Sequence, residues 1–372
     1  MTAPLRVLQV NSLFNGGGTD NQTLELTAGL RDLGVDVALA IAAGSRWEPQ
    51  ARALDVPVET FSPRSPLKAM MMRRLVALIR ERDFDLLHAH QGRDYWPCVL
   101  AARLALRGTR VVVTRHLMTR PRAVSRALLL HCADVIAVSR AVEAVLQREL
   151  RGPRARLHLI YGGVDAVKFQ PERTPAAWKF RQRQGWSDDA VVFGVVGAYD
   201  LPGGKGQWQF LEAAAQLRSE FSRARFAIIG NGSMGPLLRE QIAGHSLGAV
   251  ATIVPFTDDI VTAIGALDVL AHPALGTEAL GLVLWEAMAS GKPVIGSRLH
   301  GIPEAFIAGE HGLLVEPADV PTLREAMRRL AADAEWRARC GQAGRTYVER
   351  QFTRTHLARN TLALYKRMLA IR

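Results

Sequence analysis

The 372-residue chain has little cysteine, few aromatics and no long apolar run, and each shortage excludes something. Cys98, Cys132 and Cys340 are odd in number, far apart and without a C-x-x-C pair, so neither a disulfide framework nor a zinc site is indicated. No stretch reaches the roughly 18 uncharged apolar residues of a membrane span. The first residues run straight into a strand pattern at Leu5, without the basic segment and apolar core of a secretory leader, so the expectation is a cytoplasmic protein. Internal repeats and low-complexity tracts are also missing, which sets aside solenoids and disordered linkers. What is present is 48% hydrophobic residues and a mean hydropathy near zero, in a chain long enough for two domains with separate cores.

Acid is the scarcer charge, 35 Asp and Glu against 47 Lys and Arg, and the imbalance is local. Residues 1–167 carry 23 basic against 15 acidic side chains, and residues 168–372 carry 24 against 20. Residues 64–126 alone carry 14 against 4. A patch of net +10 suits an anionic partner, whether a membrane face, a phosphorylated acceptor or a nucleic acid; the alternative is a solvated basic surface. Within it, Pro66 to Arg82 sets Leu67, Met70, Met71, Leu75, Leu78 and Ile79 on one side and Lys68, Arg73, Arg74 and Arg80 on the rest. That period is helical. It packs a helix on a sheet, and a basic amphipathic helix can also lie on a membrane.

Short apolar runs bounded by polar or Gly/Pro loops read as buried strands. In the first half they are Leu5–Val10, Val35–Ile41, Val56–Phe61, Asp85–His90, Val111–Thr114, Asp134–Ser139 and Leu157–Tyr161. In the second they are Val191–Val196, a run ending before Gly230, Ile253–Phe256, a run ending at Ala271, Pro293–Gly296 and Gly312–Val315. Helical segments alternate with them, which predicts α/β domains, and the polar stretch Gln170–Asp189 leads from one to the other.

The chemistry concentrates between Leu267 and Ser297. There a strand, a Pro/Gly loop, a helix from about Leu280 to Gly291 and a second strand form a βαβ unit, whose loop is where open α/β sheets hold ligands. Glu278 precedes the helix and Glu286 lies one turn inside it. At ~100° per residue a spacing of eight returns to within ~80°, so both carboxylates can face one pocket at the helix start. The amides there suit an anion and the acids suit hydroxyls, which together describe a sugar nucleotide. Two acids eight apart also occur on ordinary amphipathic helices. Elsewhere, Gly16, Gly17 and Gly18 follow the first strand and would let amides approach a phosphate. Gly230, Gly232 and Gly235 form the G-x-G-x-x-G of a dinucleotide site, but the acid expected after the next strand is missing until Asp258. Asp83-Phe-Asp85 is formally a D-x-D metal motif at the wrong end of its strand.

The string Glu278-Ala-Leu-Gly-Leu-Val-Leu-Trp-Glu286 resembles the E-x7-E motif of the retaining GT4 glycosyltransferases, and Ser290-Gly-Lys-Pro-Val-Ile follows as in that family. Gly197-Ala-Tyr-Asp-Leu-Pro-Gly-Gly-Lys205-Gly206 resembles its G-R-L-x-x-x-K-G loop, with Ala198 where the diphosphate-binding Arg would stand; either Arg115 or another residue would then supply that charge, or the donor would be held less conventionally. Tyr161-Gly-Gly-Val-Asp165 is similar to the N-G-V-D that closes the first domain. The resemblance implies a GT-B fold, α/β with two Rossmann-like domains facing each other across a cleft. Residues 1–167 with 353–372 would form the acceptor domain and residues 168–352 the donor domain, the last helix crossing back to the first.

It further implies retaining transfer from a UDP- or GDP-linked sugar, without cofactor or metal, to a glycan or lipid-linked acceptor of lipopolysaccharide or another surface polysaccharide. Glu278, His116 and Lys205 would be the catalytic residues. Gly16, Gly17, Gly18, Gly197, Lys205, Phe256, Gly281, Leu282, Val283 and Glu286 would hold the donor, with Glu286 on the ribose and the Phe256 backbone near the base. The basic patch would touch the cytoplasmic face of an anionic membrane. The alternatives are a non-hydrolysing sugar-nucleotide epimerase of the same fold and a noncatalytic protein binding anionic ligands; nucleic-acid binding would leave the two-acid pocket idle.

Overall fold

Each apolar run expected as a strand is one in the computed structural model, which describes residues 4–61, 68–121, 123–150 and 156–370. The chain divides into two compact units, Met1–Gly163 with Phe352–Arg372, and Val164–Gln351. Both are built on wholly parallel sheets. Most of their strands are buried on both faces, and this is why those read as continuous Val/Leu/Ile runs rather than as alternation.

In the first unit the order of elements is β1 (Arg6–Asn11), α1 (Gly18–Asp32), β2 (Asp36–Ala42), α2 (Glu48–Arg52), β3 (Val58–Phe61), α3 (Lys68–Arg82), β4 (Leu86–Ala89), α4 (Tyr95–Ala105), β5 (Arg110–Arg115), α5 (Ala123–His131), β6 (Asp134–Ala137), α6 (Arg140–Glu149) and β7 (Leu157–Leu159). The sheet runs β3-β2-β1-β4-β5-β6-β7. The second unit continues with α7 (Pro175–Arg183), β8 (Val191–Val196), α8 (Gln207–Leu217), β9 (Ala224–Ile229), α9 (Gly235–Gly244), β10 (Ala251–Val254), α10 (Ile260–Gly265), β11 (Val269–His272), α11 (Leu282–Ala289), β12 (Val294–Ser297), β13 (Gly312–Val315), α12 (Val320–Ala332) and α13 (Ala334–Gln351). Its sheet runs β10-β9-β8-β11-β12-β13. In each sheet the order reverses beside the first strand, and such a switch point opens a crevice at the carboxyl ends of the strands.

The last helix, α14 (Arg354–Ala370), returns to the first unit and packs on α1. Gly29 makes this possible, since a Cβ there would lie 2.7 Å from the Cβ of Ala358. Arg354 Nε donates to Glu25 at 2.6 Å, and Gln22 exchanges two 2.8 Å hydrogen bonds with the backbone of Gly163. Deeper in, Tyr365 is fully buried and its hydroxyl meets His88 Nδ1 at 2.5 Å.

Some boundaries shift for local reasons. Ser139 leaves β6 and becomes the N-cap of α6, its Oγ accepting from Val142 N at 3.2 Å. β10 stops at Val254, because Pro255 cannot donate to a sheet ladder. α4 gave no periodic signal since it is apolar nearly all round, with Tyr95, Pro97, Cys98, Val99, Ala101, Ala102 and Ala105 buried. Pro66 and Leu67 of the basic segment lie outside the described residues.

Candidate active site

In the second unit the loop leaving β8 and the loop leaving β11 touch. Gly206, at φ +82, is the N-cap of α8, and a Cβ on it would fall 2.0 Å from the carbonyl oxygen of Pro273. Only glycine allows this approach. The contact places Lys205 Nζ 2.6 Å from Glu278 Oε2. His272, the last residue of β11, puts its Nε2 3.1 Å from the same oxygen. The Glu278 carbonyl accepts from Gly301 N at 3.3 Å, and Ser297 Oγ donates to Ala274 O at 2.8 Å, so the β11 loop is tied to the strand beside it.

Burial opposes ionisation of Glu278, but the hydrogen bond and charge of His272, together with Lys205, outweigh it and hold the carboxyl far below the usual carboxylate range. Gly281, at φ +81, then turns the chain into α11. Leu282 and Val283 sit in its first turn, where amides have no partner within the helix and a negative charge is favoured. Glu286 is 7% exposed, one turn in, and the helix is held by the Trp285 indole, whose Nε1 donates to Ala305 O at 2.8 Å. The loops leaving β8 and β11 thus bring a cation and a held carboxylate together just before a helix start, and a second buried carboxylate lies one turn into that helix.

Two other expected donor residues have their amides engaged. Gly197 N donates to Ile229 O at 3.0 Å, and Phe256 N to Asn231 Oδ1 at 3.1 Å. The loop from Gly197 to Gly206 has ten residues where the family pattern has eight, and Ala198 is exposed on it. The G-x-G-x-x-G glycines serve this loop. Added Cβ atoms on Gly230 and Gly232 would lie 2.2 Å from Gly197 O and 2.4 Å from the Tyr199 backbone. Loop packing therefore accounts for the fingerprint without a dinucleotide.

In the first unit, Gly17 is the N-cap of α1. Asp20 occupies part of the glycine loop, its Oδ2 accepting from Gly16 N at 2.9 Å and from Asn15 N at 3.1 Å. The amides of Gly17 and Gly18 have no such bond among the described residues. His116, just past β5, has a buried Nε2 without a partner among the described residues, and burial beside Arg115 pushes its pKa down to about 4, so the ring is neutral. Arg115 is 6% exposed and donates to Thr119. It is already committed within the first unit. Asp83 and Asp85 sit at the amino end of β4, where Asp85 Oδ2 accepts from Arg6 N at 3.0 Å. Among the described residues no group of three or more His, Cys, Asp or Glu could hold a metal.

The basic patch is less bare than its sequence window. Acids from outside it fold over: Arg74 pairs with Glu59 at 3.0 Å, Arg82 with Asp36 at 3.6 Å, and Arg120 and Arg126 with Glu149 at 2.6 and 3.9 Å. Arg73, Arg103 and Arg107 are exposed on or beside α3 and α4, as are Met70, Leu100 and Leu104. Arg64 and Arg122 lie outside the described residues.

Comparison with known proteins decides the family. The family described as Glycosyl transferases group 1 matches residues 176–347, and Glycosyltransferase Family 4 matches residues 16–168. The GDP-mannose-dependent alpha-(1-6)-phosphatidylinositol monomannoside mannosyltransferase of Mycobacterium tuberculosis is 30% identical over 77% of this chain and 76% of its own. The chain belongs to glycosyltransferase family 4. The phosphatidyl-myo-inositol mannosyltransferase of Mycolicibacterium smegmatis is 29% identical over 91% of this chain and 86% of its own. The HepE protein of Anabaena, solved with UDP and glucose, superposes with a TM-score of 0.83 at 22% identity, covering 97% of this chain and 99% of that one. The GT-B fold is therefore shared, and the family 4 chain is a nucleotide-sugar dependent glycosyltransferase of a retaining family.

His272 was not anticipated. A histidine at a strand end six residues before an acid carries no periodic signal, and its role emerges only when the β11 loop folds back over the strand.

Proposed function

We propose that the second unit binds a nucleoside diphosphate sugar and that transfer to the acceptor proceeds with retention by front-face attack. The observation that carries this is the Lys205–Glu278 pair beside the start of α11. Lys205 and the amides of Leu282 and Val283 take the diphosphate, Glu286 the ribose diol, and Glu278 the hydroxyls of the sugar. Charge grows on the diphosphate as the glycosidic bond breaks, and a preplaced ammonium and helix start stabilise it where water is displaced, without a metal. The acceptor attacks on the face the diphosphate leaves, and no enzyme nucleophile is needed. His116, with its neutral ring and unpartnered nitrogen, is assigned to a sugar or acceptor hydroxyl in the first unit, and the open Gly17 and Gly18 amides to a phosphate.

The acceptor we favour is lipid-linked or phosphorylated, in surface polysaccharide assembly. Exposed Arg73, Arg103 and Arg107 alongside Met70, Leu100 and Leu104 suit an anionic lipid surface, and no helix among the described residues is long and apolar enough to cross a membrane. The names of the mannosyltransferase relatives, which refer to phosphatidylinositol acceptors, support the same class.

A thermal-shift comparison of UDP, GDP and their sugars tests the donor assignment, since a ligand at 100 times its Kd adds ~2.7 kcal/mol. No shift with either nucleotide at millimolar concentration would reject it. Turnover of the sugar nucleotide without any acceptor, giving an isomerised sugar, would point to an epimerase instead.

A further inference from the structure

We infer that His272 is a positioning residue that fixes the Glu278 carboxylate independently of Lys205, so that His272 sets which sugar hydroxyls the enzyme accepts. This rests on the assignment of Glu278 to the sugar. Glu278 Oε2 receives both bonds, 2.6 Å from Lys205 Nζ and 3.1 Å from His272 Nε2, whereas Oε1 accepts none among the described residues. The carboxylate is therefore held by one oxygen and offers the other.

Its two anchors differ in kind. Lys205 is a long flexible side chain, 30% exposed, on a loop. Its ammonium has three hydrogens and turns toward a diphosphate when one arrives. His272 cannot follow. It ends a central strand, pairs with Gly296 across the ladder, is 2% exposed, and has a ring within 3.5 Å of where a Cβ on Gly281 would lie. Its Nδ1 is buried with no partner among the described residues, so the ring is spent on one bond, Nε2–H to Glu278. A buried polar nitrogen left unpaired costs stability, and a side chain kept at that cost for a single contact marks the contact as the useful one. When Lys205 engages the diphosphate, His272 alone keeps Oε1 aimed.

The test uses the whole enzyme with His272→Leu, His272→Gln and Glu278→Gln. Affinities for UDP against UDP-glucose, and for GDP against GDP-mannose, are measured by calorimetry, and the pair that the wild type binds more tightly is followed. His272→Leu should keep the nucleoside diphosphate within about twofold and weaken its sugar form about tenfold or more, the scale of one charge-assisted hydrogen bond. His272→Gln, whose amide can donate, should recover most of that loss, and adding His272→Leu to Glu278→Gln should change nothing further. Equal losses for diphosphate and sugar form in His272→Leu and His272→Gln alike, or no loss in either, would overturn the positioning role if Glu278→Gln still shows a loss confined to the sugar form. A Glu278→Gln enzyme that binds both forms like wild type would instead overturn the assignment of Glu278, and the role of His272 with it.

Discussion

Acidification should loosen the first unit through its buried histidines. His88, His90 and His116 lie together behind β4 and β5, with ring centroids 4.4 Å apart for the first pair and 5.8 Å for the second. His88 joins Tyr365 to Thr114, and His90 Nε2 meets Gln9 Oε1 at 2.7 Å. Burial pushes His88 down to about 3 and His116 to about 4, and lowers His90 well below its ordinary value. All three are neutral when folded, whereas in the unfolded chain each protonates near pH ~6.5. The unfolded state therefore binds more protons below that pH, and stability falls as pH falls until the folded rings themselves titrate. At pH 5 His88 and His116 each contribute a loss of ~2 kcal/mol, ~4 for the two, which is a large part of an ordinary domain's ~5–15 kcal/mol, and His90 adds a loss of the same sign. Hydrogen exchange of peptides spanning residues 86–90 and 110–116, corrected for intrinsic rates, should lose ~10³-fold protection or more between pH 7.5 and 5. His116→Gln should flatten the dependence, removing ~2 kcal/mol of it at pH 5. A loss below about tenfold, or no change in slope in the variant, would refute the reasoning.

Glu286→Ala should weaken nucleoside diphosphate binding by ~1.5 to 3 kcal/mol, the scale of charge-assisted hydrogen bonds to a ribose diol, and calorimetry giving an unchanged Kd in a folded variant would remove that assignment. Lys205→Ala should lower kcat more than it raises the donor KM, since charge on the diphosphate grows in the transition state; a rise in KM alone would make it a ground-state ligand. Activity should survive EDTA, and a loss restored by manganese or magnesium would bring Asp83 and Asp85 back as ligands. Replacing Arg73, Arg74 and Arg80 by Gln should reduce sedimentation with anionic vesicles and flatten its salt dependence, at ~1 kcal/mol per cation near the surface. Because Arg74 also pairs with Glu59 and Arg80 donates to Leu104 O at 2.9 Å, unfolding is measured alongside; wild-type protein that ignores such vesicles at low salt would end the membrane proposal.

Local pattern alone determined much of this protein. Most strands among the described residues were legible because strands buried on both faces are apolar nearly without interruption, and the stop of α11 was legible because Gly291, at φ +66, takes a left-handed turn that side chains disfavour. The two acids of the E-x7-E string were visible as a spacing, one just before the helix and one inside it. Tertiary structure decided what those residues meet. Lys205 reaches Glu278 across 73 residues only because Gly206 lets two loops touch at Pro273, and His272 joins them only because the β11 loop folds back over its own strand. Asp20 claims the Gly16 amide, acids from outside the basic window neutralise part of it, and Tyr365 finds His88 277 residues away. Spacing along a chain reports which side of an element a residue occupies. Which partner stands there depends on the loops and sheet order that bring distant segments together, and these are set by the packing of the whole unit.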